Sequence, residues 1–317
     1  MSRWLPRALV LGATAVLLTG AVGPSTVVAH GVPVASVDYV ALGDSYSAGP
    51  LIPALRSDPT SCLRSTNNYP AFLAGYLGVA TYRDVTCSGA RVRDLTHRQT
   101  PVIPGAQVPP QVGALSKRTD LVTIGLGGND FGLFCDLTSV CLAVAQAQPR
   151  GAPCRQHFTN SHGVNTKYRD ARRIQAHVAL GLREIHHAAP RARVVVVGYP
   201  RLLPTRGTCA AAPFATGDYA FARRVGILLN RSLRLAAAAH HATYVDTYGV
   251  SRGHDVCAGA RAWINGPQNT ATAAAFHPFE KGERGMARRV YRVLTGQVAP
   301  RGGDAMPPPG SVVLNPS

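Results

Sequence analysis

Five apolar runs of strand length, separated by stretches of helical spacing, constrain the fold of this chain more than any other feature of its sequence. They are residues 37–42 (VDYVAL), 79–85, 121–126 (LVTIGL), 194–198 (VVVVG) and 243–245 (TYV). Most are continuous rather than alternating, which suits strands buried on both faces. Between them, Phe221, Val225, Leu228 and Leu229 repeat at i, i+4, i+7, i+8, as do Met286, Val290, Val293 and Leu294. Each set forms the apolar stripe of a helix, and residues 167–187 read as a further long helix ending before Ala189-Pro190. Strands alternating with helices predict an α/β fold: a three-layer α/β/α sandwich around a parallel sheet of about five strands. Sites in such sheets lie at the carboxyl ends of the strands. Residues 131–166 carry Cys135, Cys141 and Cys154 without a firm period, which predicts a disulfide-pinned excursion over the sheet edge.

The two ends of the chain differ from this core. Arg3 and Arg7 precede an apolar stretch at 8–22, and small residues lead to Ala29. Gly12, Thr14, Thr19 and Gly20 interrupt that stretch, which is too short for a comfortable membrane span. The pattern predicts a signal peptide over residues 1–29, removed after Ala29, and hence a secreted, extracellular protein. One domain is expected over 30–298, followed by a disordered tail over 299–317 (APRGGDAMPPPGSVVLNPS). Export makes the seven cysteines read as three disulfides and one free thiol, and their spacing matches no zinc site. Neither a metal nor a cofactor is expected.

The net charge of +17 suggests nucleic acid at first sight. Of the 33 basic residues, however, only Lys117, Lys167 and Lys281 are lysine, and the arginines are scattered without basic clusters or interleaved aromatics. The expected consequence is a general attraction to anionic surfaces rather than specific nucleic-acid binding, in a monomeric protein.

Four short segments fall where strands should end. GDSYSAG, residues 43–49, follows the first run, and Thr86-Cys87-Ser88-Gly89-Ala90 follows the second. Gly127-Gly128-Asn129-Asp130 follows the third, and Phe276-His277-Pro278 precedes the last helix. Singly, each is ordinary turn chemistry. Together they supply a hydroxyl, a base and donors for an oxyanion, the parts that acyl transfer requires.

In these four blocks and their order the chain resembles the SGNH (GDSL) hydrolase superfamily, in particular its secreted, three-disulfide actinobacterial esterases and lipases. The resemblance implies a serine esterase or lipase acting on carboxylic esters, an ester or lipid substrate, through an acyl-enzyme, with Ser45 as nucleophile and His277 as base. It implies an oxyanion hole from the Ser45 and Gly89 amides and the Asn129 side chain. It also implies the pairs Cys62–Cys87 and Cys209–Cys257, with Cys141–Cys154 fitting the family spacing better than Cys135–Cys141. The family usually has an aspartate three residues before its histidine, but Ala274 stands here, so a backbone carbonyl is expected to orient His277, with that of Ala274 the candidate. Asp246, Asp255 and Glu280 are the other acids near strand ends or the histidine turn. A rival nucleophile motif, Gly249-Val250-Ser251-Arg252-Gly253, should open a helix, with an acid and then a histidine well downstream, but the segment that follows Ser251 has no helical period and leaves little room for further strands. His254 and Asp255 beside it are candidates for lining the pocket. Within the enzyme class the alternative is a phospholipase or acyltransferase on lipid head groups; outside it, a non-catalytic cell-surface binding protein.

Overall fold

A computed structural model of the chain describes residues 37–306 and the strand Val313–Leu314. The expected signal peptide lies outside the described residues. The strands are β1 (Asp38–Gly43), β2 (Leu55–Arg56), β3 (Thr81–Asp84), β4 (Leu121–Gly125), β5 (Arg193–Val197), β6 (Thr243–Val245) and β7 (Val313–Leu314). Five of them form one parallel sheet in the order β3-β1-β4-β5-β6, as the apolar runs predict. β3 alternates exposed Thr81 and Arg83 with buried Tyr82 and Asp84 because it is an edge strand, paired only with β1. From β1 the chain steps to one side, into β3, and then crosses to the other, into β4. The switch point therefore lies between the carboxyl ends of β1 and β4, where crevices open in sheets of this kind.

The helices are α1 (Ser45–Ala48), α2 (Tyr69–Leu77), α3 (Leu133–Thr138), α4 (Val140–Ala147), α5 (Pro153–His157), α6 (Thr166–Ala188), α7 (Asp218–Ala239), α8 (Thr247–Val250) and α9 (Glu280–Thr295). Strand side chains alternate between two cores. Val40, Leu42, Val122, Ile124, Val194 and Val196 face Ile174, Val178 and Leu182 of α6 and Val225, Leu229 and Leu233 of α7. Tyr39, Ala41, Val195, Val197 and Val245 face Phe72 and Leu73 of α2 and Met286 and Val290 of α9. The sheet is thus covered on both faces, and its interior strands need no polar alternation.

The excursion at 131–166 holds more helix than expected. α3, α4 and α5 occupy it, and Cys141 of α4 is bonded to Cys154 of α5. Three short helices in succession, several of their apolar residues only half-buried, leave no long stripe to read. The tail also departs from its expected disorder where it begins. Ala299 is buried, Arg284 Nη1 donates to the Gly303 carbonyl (2.9 Å) and the Met306 N–H donates to the Ala71 carbonyl (2.9 Å). Gly75 permits this crossing over α2, since a Cβ there would collide with the Asp304 carbonyl. β7 then pairs antiparallel with β2; residues 307–312 and 315–317 lie outside the described residues.

Candidate active site

β1 ends at Gly43, whose missing Cβ leaves room for the Ser47 side chain between the ends of β1 and β4. The Asp44 N–H donates to the Gly125 carbonyl of β4 (2.9 Å), and its carboxylate Oδ1 caps α1 by accepting from the Tyr46 N–H (2.9 Å). Ser45 is consequently the first residue of a one-turn helix that Gly49 closes in the left-handed region at φ 68°. The first N–H groups of a helix have no partner inside it, which leaves the Ser45 amide available. The Ser45 hydroxyl makes no hydrogen bond among the described residues. Contacts between nucleophile and base are often long until substrate binds.

Two further loops converge on this turn. Gly89, at φ 79°, follows β3 in a segment fixed by the Cys62–Cys87 disulfide and by the Ser88 N–H donating to the Cys62 carbonyl (3.1 Å). Val102 occupies the place a Cβ on Gly89 would take. Asn129 follows β4 and donates one amide hydrogen to the Ala90 carbonyl (3.0 Å), which ties the second loop to the first. That bond sets the plane of the amide and leaves its other N–H for a ligand.

His277 comes from the turn before α9. Its Nδ1 lies 2.8 Å from the carbonyl of Ala275, and since a carbonyl only accepts, Nδ1 carries the proton and Nε2 is the basic nitrogen. The expected acceptor was Ala274, so the position is corrected by one residue. The Ala274 carbonyl turns inward instead, accepting from the His277 backbone N–H (3.1 Å) and from Asn265 Nδ2 (3.1 Å). The cause is Phe276, whose φ of 58° reverses the chain, and whose carbonyl accepts from the Tyr46 hydroxyl (2.6 Å). Burial holds the imidazole below its ordinary range, with the Ala275 hydrogen bond acting in the opposite direction.

None of the other candidate acids faces His277. Asp246 caps α8, Asp255 accepts from the Cys257 N–H (3.1 Å) and Glu280 pairs with Arg284 (2.9 Å). The structure also separates Ser251 from the site. It is fully buried, its hydroxyl accepting from the Arg201 N–H (2.9 Å) and donating to the Tyr248 carbonyl (3.2 Å). His254 stacks on Trp263, and neither it nor Asp255 lines the cavity.

Ser45, Gly89, Asn129 and His277 line one cavity of about 290 Å³, walled mainly by apolar residues such as Phe134, Leu202 and Val102. The free thiol, Cys135, is exposed and lines the same cavity, while Cys209–Cys257 completes the three disulfides. Sequence reasoning missed Asp44 and Tyr199. Asp44 is fully buried beneath Ser45, and burial pushes its carboxyl up to about 7 against the hydrogen bonds from Tyr199 and the Tyr46 amide. The only signal was the Gly-Asp-Ser block itself, and Tyr199 carried none. Among the described residues no group of three or more His, Cys, Asp or Glu side chains is placed to hold a metal ion.

Residues 41–284 match the model of the GDSL-like lipase/acylhydrolase family. Lipase 2 of Streptomyces coelicolor is 38% identical over 302 residues, covering 91% of this chain and 97% of that protein. A lipase of Streptomyces rimosus is 32% identical over 249 residues, 78% of this chain and 83% of the relative. Among solved structures, phospholipase A1 from Streptomyces albidoflavus NA297 superposes with a TM-score of 0.66 at 29% identity, covering 83% of this chain and 99% of that one. An extracellular lipase from Streptomyces rimosus gives 0.64 at 30% identity, covering 80% and 98%.

Proposed function

The chain belongs to the GDSL-like lipase/acylhydrolase family and is a carboxylic ester hydrolase, and we propose that it works through an acyl-enzyme on Ser45 with His277 as its base. The observation that carries this reading is the convergence of Ser45, Gly89, Asn129 and His277, from four separate segments of the chain, on one cavity. Ser45 Oγ attacks the ester carbonyl carbon while His277 Nε2 takes its proton. The carbonyl oxygen becomes an oxyanion, held by the Ser45 and Gly89 amides and the free N–H of Asn129. The intermediate collapses as His277 returns the proton to the leaving alcohol. Water, deprotonated in turn by His277, then releases the acid and restores Ser45. Each oxyanion donor is worth about 3 to 4 kcal/mol in such sites. The Ala275 carbonyl keeps Nδ1 protonated throughout, so no side-chain acid is required.

Ser45→Ala and His277→Ala should each abolish hydrolysis of p-nitrophenyl butyrate by folded protein, while Ser251→Ala retains near-normal rates. The reverse pattern would overturn the assignment. A phospholipase reading is favoured by the likeness to the Streptomyces albidoflavus phospholipase A1. Turnover of phosphatidylcholine vesicles measured beside a chain-length series of p-nitrophenyl esters separates the two. Export is part of the proposal, supported by three disulfides and by the likeness to an extracellular lipase.

A further inference from the structure

We infer that Tyr199 is a positioning residue for ester hydrolysis, its buried hydroxyl locking the loop that carries Asn129 to the turn that carries Ser45. The inference rests on the roles proposed above for those two residues. Tyr199 follows β5 and touches neither the Ser45 nor the His277 side chain through its hydroxyl. Instead the hydroxyl accepts from the Gly128 N–H (2.9 Å), one residue before Asn129, and donates to Asp44 Oδ2 (2.5 Å), one residue before Ser45. Asp44 Oδ1 in turn accepts from the Tyr46 N–H, one residue after Ser45. Three hydrogen bonds in series therefore run from the peptide preceding the oxyanion asparagine to both flanks of the nucleophile.

The phenol is placed by contacts other than its hydroxyl. Asn230 Oδ1 accepts from the Tyr199 N–H (3.0 Å), and Asn230 Nδ2 donates to the Tyr199 carbonyl (3.2 Å). The ring meets Tyr46 and Phe134 edge-on, at 5.2 and 5.0 Å between centroids. Phenylalanine would keep all of these and remove one oxygen. What would be lost is specific: the Gly128 N–H would lose its acceptor and Asp44 Oδ2 its donor, both in buried surroundings. Gly128 also has no slack toward Phe134, whose ring fills the space a Cβ would need. The freedom gained by the peptide would pass to Asn129, and oxyanion donors act only when held close to the position the charge will occupy.

The test is a kinetic double-mutant cycle on the intact chain with p-nitrophenyl butyrate. Tyr199→Phe should lower kcat by about 10- to 100-fold while KM stays within about twofold, since the oxyanion exists only after attack. In an Asn129→Ala background the same substitution should lower kcat by less than about threefold, because the donor it positions is already gone. A core residue that merely stabilises the fold would act equally in both backgrounds. An unchanged kcat, an effect confined to KM, or full additivity with Asn129→Ala overturns the inference. Should Tyr199→Phe fail to fold, Asp44→Asn goes through the same cycle under the same criteria. It keeps the shape of the side chain but can present an N–H to the phenol where Oδ2 accepted. Wild-type protein without ester turnover would overturn the proposed function itself, whereas an active wild type with an additive cycle overturns only the role of Tyr199.

Discussion

A peptide carbonyl can fix the tautomer of a histidine, but it brings no negative charge to the imidazolium that forms during attack. In a Ser-His-Asp triad, converting the acid to its amide selects the wrong tautomer and lowers the rate about ten-thousandfold. With the Ala275 carbonyl in that place, Asp246→Asn, Asp255→Asn and Glu280→Gln should each lower kcat by about tenfold or less. A loss of about a thousandfold in any of them, with the fold intact, would reveal a third member acting from a distance. Burial disfavours the charged imidazolium, so the inflection assignable to the base should lie below about pH 6.5 and the rate should hold into the alkaline range. A profile of kcat/KM against pH, which reports the free enzyme, checks this. Much of the site could be read from residue types, because Gly-Asp-Ser, Gly-Gly-Asn-Asp and Phe-His-Pro each follow or precede an element that the periodicity finds. The identity of the accepting carbonyl could not be read. It depends on a positive φ at Phe276, a conformation that an aromatic side chain gives no reason to expect.

At the level of elements, α9 meets α2 through a buried acid. Glu283, in the first turn of α9, is fully buried; its Oε2 accepts from the Tyr69 N–H at the start of α2 (2.8 Å), and its Oε1 has no partner among the described residues. Burial raises its carboxyl well above the usual carboxylate range. The folded protein therefore keeps a proton that the unfolded chain releases near pH 4.5, and stability falls as pH rises beyond that point. Glu283→Gln keeps an oxygen for Tyr69 and does not titrate. Its melting temperature should decline less than that of the wild type between pH 5 and 8, and a parallel decline would show that Glu283 is not the group responsible. The elements with one long buried stripe were legible, α7 and α9 most clearly, as were the sheet strands. The helices of the excursion were not, because each is short: α3 gives Phe134 to the cavity wall, while α4 and α5 bury Cys141 and Cys154 in a disulfide between them.

Over the whole molecule, six of the seven cysteines are paired, and the remaining thiol stands in the wall of the cavity that Ser45 and His277 line. N-ethylmaleimide applied to the native protein should label Cys135 alone and lower ester turnover by narrowing the cavity, while Cys135→Ser protein should be indifferent to the reagent. Label on any other cysteine by peptide mapping would contradict the pairing. The hydrogen bond from the Tyr46 hydroxyl to the Phe276 carbonyl joins residues 230 apart in sequence. Such long-range closures form late, because the intervening chain must be ordered before they contribute. With Ser45 and His277 in the roles proposed for them, a nascent chain displays its nucleophile early in synthesis and receives its base near the end. Until the ribosome has released the last helix, the polypeptide can bury its sheet but lacks the proposed base, so ester cleavage on this reading waits for the completed chain.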